Sequence, residues 1–307
     1  MASPLDSAQF VRLLDTRVRE VSEAKFKELT SMIPMLFRMI NSDSAWEEFY
    51  SVGATPDIPA FNGNLTFLGI APGFHTRIEP KEYAGGIQIE RKLMDDKKYP
   101  VFDNMAGGLA TAGHRSREKL GVRAFANAFS SAYDFMTSEE GVSLCSSSHT
   151  TKAGTSTTNG FDNSGTSALN KTSVAATRLL MRRFRNDISE RIEISDNLGL
   201  IVPDNLADAA MEINMTPKSM DTAEGNVNMQ YKRYTVIPYL RLDDYDTNNW
   251  FMVDMDAMKR DLIWINRIMP ETRLIVDFKT YMSMISTYYR CGYGFIDWRW
   301  IYGQLVT

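Results

Sequence analysis

Apolar positions along this chain change their period several times, and each change marks a different kind of element. Phe10, Leu14, Val18 and Val21 recur at three- and four-residue spacing, and Phe26, Leu29 and Ile33 continue the stripe. Arg12, Glu20, Glu23 and Lys27 occupy the opposite side. The pattern predicts an amphipathic helix interrupted by Pro34, with further apolar surface at Met35, Leu36, Met39 and Ile40. Such a stripe suits either a core helix or an arm laid on a neighbouring chain.

Residues 50–98 read differently. Pro56, Pro59, Pro72 and Pro80, among many Gly and Asn, exclude a long helix. Phe74, Thr76 and Ile78 alternate with His75 and Arg77; Ile87, Ile89 and Leu93 alternate with Gln88, Glu90 and Lys92. This period of two predicts a long β-ribbon broken at Gly85-Gly86 and closed by Asp95, Asp96, Lys97 and Lys98. A two-stranded ribbon has no core of its own, so it must lie on something else.

From Pro100 to Met136 the helical period returns. Met105, Leu109, Ala112, Leu120 and Ala124 form one stripe, and Val122, Phe125, Phe129, Ala132 and Tyr133 a second. Arg115, Arg117, Glu118, Lys119 and Arg123 lie between them. Roughly thirty residues at ~1.5 Å each predict a rod of about 45–50 Å. Gly107, Gly108, Gly113 and Gly121 weaken it intrinsically, so packing must hold it.

The tract Ser146–Thr172 is dense in Ser, Thr, Gly and Asn and reads as a loop whose contacts are expected from other subunits. A mixed α/β region follows. Thr172 is placed to cap a helix carrying Val174, Met181, Phe184 and Ile188. Leu200-Ile201-Val202 reads as a buried strand ended by Pro203, and Asp204 as the cap of a helix with Leu206, Ala207 and Ala210. Tyr234–Leu240 and Trp250–Val253 read as strands separated by the acidic turn Asp243, Asp244, Asp246. Thr272–Val306 is aromatic-rich and favours strands, with Tyr288, Tyr289, Tyr293, Phe295, Trp298, Trp300 and Tyr302.

Composition narrows the function. The 307 residues are 44% hydrophobic and 23% charged, as in a folded globular protein of one large domain or two ordinary ones. A net charge of −4 argues against a dedicated nucleic-acid binder. Two cysteines, Cys145 and Cys291, make no disulfide framework and point to a reducing compartment. No signal peptide or bilayer-length apolar run is recognisable, so no membrane partner is expected. Eighteen Met residues supply core filler or adaptable surfaces.

Catalytic signals are meagre. Cys145 and His149 have the spacing of a thiol–imidazole pair, beside a Ser-rich tract with no evident orienting carboxylate. His75 and His114 are not spaced as metal ligands, and neither a phosphate-binding loop nor a serine elbow is present. Asp95 and Asp96 suit a solvated turn or an intersubunit salt bridge better than a catalytic pair. The closing aromatics suit a core better than base stacking. No catalytic, cofactor or metal residue is expected.

The order of elements and several short motifs carry a resemblance. The motifs are Gly141-Val142-Ser143-Leu144 through His149, Leu200-Ile201-Val202-Pro203 with Leu206 and Ala210, and Val236-Ile237-Pro238-Tyr239-Leu240. The Trp250-Phe251 strand and the closing Gly294-Phe295-Ile296-Asp297-Trp298-Arg299 with Gly303 complete them. Together they resemble the major capsid protein of tailed bacteriophages, with the Hong Kong 97-type shell fold, and more narrowly the Mu-like major head subunit family.

That resemblance implies an α+β phage-capsid shell fold. It would comprise an N-terminal arm (1–49), an extended β-ribbon loop (50–98), a peripheral domain with a long spine helix (99–140), an axial α/β domain (141–270) and a return to the peripheral domain (271–307). It implies self-assembly through pentamers and hexamers into a shell around double-stranded DNA, in a virion assembled in the bacterial host cytoplasm. A portal protein, a decoration protein and packaged DNA held without sequence specificity are the implied partners. Some relatives begin with a long scaffolding segment that a protease removes. Here the amphipathic arm begins within ten residues of Met1, so a separate scaffolding protein is expected. Phe61, Phe74, Ile78, Asp95, Asp96, Arg115 and Arg117 are the expected intersubunit contacts. An encapsulin-type compartment enclosing enzyme cargo, or a soluble α+β enzyme using Cys145 or Asp95, are the alternatives.

Overall fold

A computed structural model describes residues 7–90, 96, 99–152, 160–218, 227–277 and 282–306, with side chains 7–15 and 99 excluded. The expected apolar contacts of Phe10 and Leu14 therefore lie outside the described residues, as do Lys92, Leu93, Asp95, Lys97 and Lys98.

The chain opens with α1 (Ser7–Glu28) and α2 (Ile33–Leu36). Pro34 sits in the first turn of α2, where its missing N–H costs nothing, so it starts a helix where the sequence suggested an interruption. Strands β1 (Arg38–Asn41), β2 (Glu47–Val52), β3 (Pro72–Ile78) and β4 (Lys81–Glu90) precede the long helix α3 (Tyr99–Ala126). Then come β5 (Met136–Ser138), β6 (Ser164–Gly165), α4 (Lys171–Met181), β7 (Leu198–Val202), α5 (Ala207–Met215), β8 (Tyr234–Pro238) and β9 (Trp250–Asp254). Helix α6 (Met255–Asp261) leads into β10 (Leu262–Val276), β11 (Met282–Phe295) and β12 (Ile301–Gln304).

The expected ribbon of β3 on β4 does not form. β3 pairs with β2 and β5, whereas β4 pairs antiparallel with β11, from Lys81 opposite Cys291 to Glu90 opposite Met282. Gly85-Gly86 lies within β4, opposite Thr287 and Ser286, rather than at a turn. The long ribbon is instead β10 on β11, extended to four strands in the order β1-β10-β11-β4. At ~3.3 Å per residue it is about 45 Å long.

Helices α1 and α3 cover this ribbon. Val18 of α1, Phe102 and Ala106 of α3, Ile89 of β4, Leu274 and Ile285 form a compact apolar cluster. Arg17 holds Asp103 through two hydrogen bonds of 3.0 and 2.6 Å. The arm therefore has a seat on its own subunit. Helix α3 stops ten residues before Met136. Turn-type bonds from Ala128 N to Phe125 O and from Ser130 N to Asn127 O replace the helical ladder there. Its 28 residues span about 42 Å.

The larger core surrounds a second sheet, in the order β6-β12-β9-β7-β8. All five residues of β7 and of β9 are buried, as expected for strands covered on both faces. Phe125 of α3 meets Tyr239, Phe251 and Trp300 edge-on at 6.2, 5.8 and 6.4 Å, locking the long helix to this sheet. Helix α4 is capped by Asn170 and Ser173 in a reciprocal pair, not by Thr172. Residues 204–206 form a 3-10 turn, with no side-chain capping bond at its start or at the start of α5. The expected boundary at residue 270 falls inside β10, and β12 returns to the second sheet rather than to the ribbon. Among the described residues, no helix is long and apolar enough to cross a membrane.

Candidate assembly surfaces

Between β2 and β3 the chain leaves the body for nineteen residues without regular structure. The base of this loop is firmly built. Gly53 N donates to Ala71 O at 2.9 Å, Ala54 N to Asp187 Oδ1 at 2.8 Å, and Ser51 Oγ to Phe74 O at 2.6 Å. A Cβ on Gly53 would overlap the Asp187 carboxylate, so only glycine lets the loop base approach so closely. Beyond it, among the described residues, no hydrogen bond joins 55–70 to the rest of the subunit. Ile58, Phe61, Leu65 and Phe67 are 88, 78, 75 and 88% exposed, and Ile70 is half exposed. Exposed apolar side chains so close along one loop make it a candidate interaction surface. The sequence signal was available: large apolar residues every two to four positions, in a stretch whose Pro and Gly forbid it a core.

The other expected contact residues are scattered. Phe74 is half-buried. Ile78 is fully buried beside Gly292 and Gly294 of β11, so it belongs to the core of its own subunit and not to an interface. Asp96 is exposed and Asp95 lies outside the described residues. Arg115 is exposed, but Arg117 is turned inward. Its Nη2 donates to Asn266 Oδ1 at 3.0 Å, and its guanidinium lies 5.7 Å from the Trp264 ring centre. Burial pulls its pKa below the usual guanidinium range. Arg123 pairs with Asp134 of the same chain at 2.7 Å. The charged face of α3 is thus largely spent within the subunit, and among the described residues Arg115 is the one of these three arginines without an ion pair or side-chain hydrogen bond.

Residues 153–159 of the polar tract lie outside the described residues, but Ser146, His149 and Asn163 find partners at home. His149 is 1% exposed and stacks on Trp298 at 4.1 Å and 9°. Its Nδ1 faces Glu140 Oε1 at 3.0 Å and its Nε2 faces Asn163 Oδ1 at 3.1 Å. Asn163 in turn accepts from Ser146 N at 2.7 Å and donates to Leu144 O and Ile301 O at 2.8 and 3.2 Å. An orienting carboxylate therefore exists, but both imidazole nitrogens are occupied and neither serves Cys145. That thiol is buried against Gly303, and burial raises its pKa. The pair is structural.

His75 meets Glu139 at 2.8 Å, and Glu118 lies 4.0 Å from His114. Among the described residues no cluster of His, Cys, Asp or Glu could hold a metal ion. Trp298, Trp300 and Tyr302 are buried in the core, where they cannot stack on bases. Met211 and Met215 of α5 are exposed, as are Val227, Met229 and Tyr231 ahead of β8. Met136, Met181, Met252 and Met258 fill the core, so methionine serves both purposes here.

The family model described as phage capsid protein matches residues 75–303. The mature capsid of bacteriophage PhiM1 matches with a TM-score of 0.61 at 10% identity, covering 91% of this chain and 88% of that one. The procapsid of bacteriophage JBD30 matches at 0.52 and 12% identity, over 99 and 77% of the two chains. A virus-like particle from Pyrococcus furiosus matches at 0.52 and 9% identity, over 94 and 98%. No curated protein matches the sequence.

Proposed function

From the premise that this chain belongs to the phage capsid protein family, we propose that it closes a phage head by exchanging its extended loop with neighbouring subunits. It is a major capsid protein, a structural component of the virion with the Hong Kong 97-type shell fold, and not an enzyme. The observation that carries the exchange is the loop between β2 and β3, where Ile58, Phe61, Leu65 and Phe67 are each at least 75% exposed among the described residues. Burying one such side chain is worth about 1.5–3 kcal/mol. Four of them offset the cost of ordering a loop already anchored at both ends.

In this reading residues 53–71 form the clasp, and α1 and α2 with the ribbon and α3 form the peripheral body. The β6-β12-β9-β7-β8 sheet forms the axial body, whose loops meet at the centres of pentamers and hexamers. Subunits assemble in the bacterial host cytoplasm with a separate scaffolding protein and a portal protein. A decoration protein binds the finished outer wall. The enclosed double-stranded DNA is tolerated rather than gripped, since a chain of net charge −4 offers little counterion release.

Negative-stain electron microscopy of the purified protein tests the proposal. Closed shells or open capsomer lattices are expected. Dispersed particles of subunit size at high concentration would overturn it. Shells that purify with an enzyme inside would replace the genome by protein cargo.

A further inference from the structure

Helix α1 joins the body of the subunit through a short hinge. Residues 29–32 break the helical path between α1 and α2, and the side chain that holds them comes from α3. Glu118, 5% exposed at its side chain, accepts from Ser31 Oγ at Oε1 and from Met32 N at Oε2, the latter over 3.3 Å. One turn back on α3 stands His114. Among the described residues its buried Nε2 has no hydrogen-bond partner, and it lies 4.0 Å from the same Oε1 that Ser31 holds. Its ring is 6.5 Å from that of Phe26, near the end of α1. A cavity of about 400 Å³ opens here between α1 and the body. Phe26, Leu29 and Ile33 line one side of it, and His114, Arg117 and Met269 the other. The hinge therefore has room to move.

The surroundings of His114 disfavour a proton while α1 is seated. Burial acts first, pulling its pKa below the ordinary 6.5; Glu118 opposes that pull, and Arg117 and Arg241 add to it. From α1, Glu23 and Lys27 line the same cavity with opposite charges. The Tyr239 phenol, near Glu118 and Arg241, is held neutral by its own burial. The other two histidines are engaged elsewhere, His75 with Glu139 and His149 with Glu140.

We propose that His114 and Glu118 form an acid-released latch on α1: a proton taken up by His114 draws the Glu118 carboxylate away from Ser31 and Met32 and frees the hinge. An imidazolium that closes the 4.0 Å gap competes with Ser31 for one oxygen and stretches a Met32 bond that is already long. Lifting α1 returns His114 to water and to its ordinary affinity for protons, so by linkage protons favour the lifted state. The stability that His114 gives the seated helix is fully present above pH 6.5 and is lost as pH falls through its lowered value.

Amide hydrogen exchange of the full chain, corrected for the intrinsic effect of pH, tests the latch. The Met32 amide reads it directly, because that N–H is one of the two groups Glu118 holds. Between pH 7.5 and pH 5 its protection should fall at least about threefold, while the amides of β9 stay as they were. His114→Gln, which cannot take up the proton, should keep Met32 protection within about 1.5-fold over the same range. Wild-type protection that does not change overturns the proposal. So does a loss in His114→Gln as large as in wild type, or a loss shared equally by β9, which would be general unfolding. Should the variant fail to fold, the proton NMR titration of the His114 ring in wild type decides. Its midpoint should lie below 6.5 and coincide with the loss at Met32, and a midpoint at or above 6.5, or one apart from that loss, overturns the latch.

Discussion

Replacing Phe61 and Phe67 by alanine separates a clasp from a decorative loop. Both rings project into solvent in the isolated subunit, so the substitutions should change its stability by less than about 0.5 kcal/mol each. If each ring lodges against a neighbour, it withdraws about 150 Å² from water. At ~25 cal/mol/Å², and allowing for what alanine still buries, that is about 2 kcal/mol per ring. The pair is then worth about 4 kcal/mol for each loop seated, which corresponds to roughly a 100- to 1,000-fold change in binding constant. If every subunit gives one loop and receives one, the concentration at which shells appear should rise by a comparable factor. Light scattering over a dilution series measures that threshold, and thermal melting of the subunit supplies the control. A threshold within about threefold of wild type would refute the reasoning. So would a lowered melting temperature, which would mean that the rings serve the subunit itself.

Arg115 and Arg117, two residues apart on α3, should respond oppositely to charge reversal. Arg115→Glu should be neutral within about 0.5 kcal/mol, whereas Arg117→Glu should cost about 3–5 kcal/mol in denaturant melts by setting a carboxylate against Asn266 Oδ1. Gly303→Ala should cost about 1–3 kcal/mol and lower the melting temperature, because its methyl would meet Cys145 Sγ and Phe129 Cζ, each at 2.7 Å. Lys152 first, then the amide and ring of His75, hold the Glu139 carboxyl down to about 2 from an ordinary 4.5. This contribution is fully present above pH 4.5 and is lost as pH falls through about 2; Lys152→Ala should move the carboxyl's NMR titration upward, and an unmoved midpoint would refute the pairing. Burial pushes the Cys291 thiol up to about 12 and raises Cys145 as well, so neither should be alkylated near neutral pH until the chain unfolds, as mass spectrometry can check.

What was legible in the sequence is what is local. The periods that define α1 and α3 are properties of neighbouring residues, and both helices form on their stripes, although α1 ends at Glu28, before Leu29 and Ile33, and α3 ends at Ala126, before Phe129, Ala132 and Tyr133. The motifs at 200–202, 236–239 and 250–251 fall on or directly after β7, β8 and β9, neighbours in one sheet. Partners were not legible. Alternation marks β4 as a strand, but its mate β11 lies some two hundred residues away, and β3 was the nearer and wrong choice. The same limit governs the sites. Alternation gives Ile78 a face without saying which face is inside, and here both Thr76 and Ile78 are buried. Arg117 reads as a surface charge facing a neighbour until Trp264 and Asn266, on the parallel partner of β1, arrive beneath it. The exposure of Phe61 was legible for the opposite reason: its surroundings in sequence allow it no interior.

The order in which strands enter the sheets bears on how the chain is made. β1 finds its parallel mate at residues 263–266, and β12, at 301–304, fills an interior place between β6 and β9. A ribosome must therefore deliver the chain as far as residue 266 before β1 can pair and as far as residue 304 before the second sheet can close, and contacts of such long range are slow to form. Until then the clasp has no finished body to grip or to be gripped by. Prematurely terminated chains lack the interior strand and should go to chaperones and proteases instead of being built into a wall. Delivery of β12 thus acts as a licence for assembly, written into the topology and needing no separate inspector.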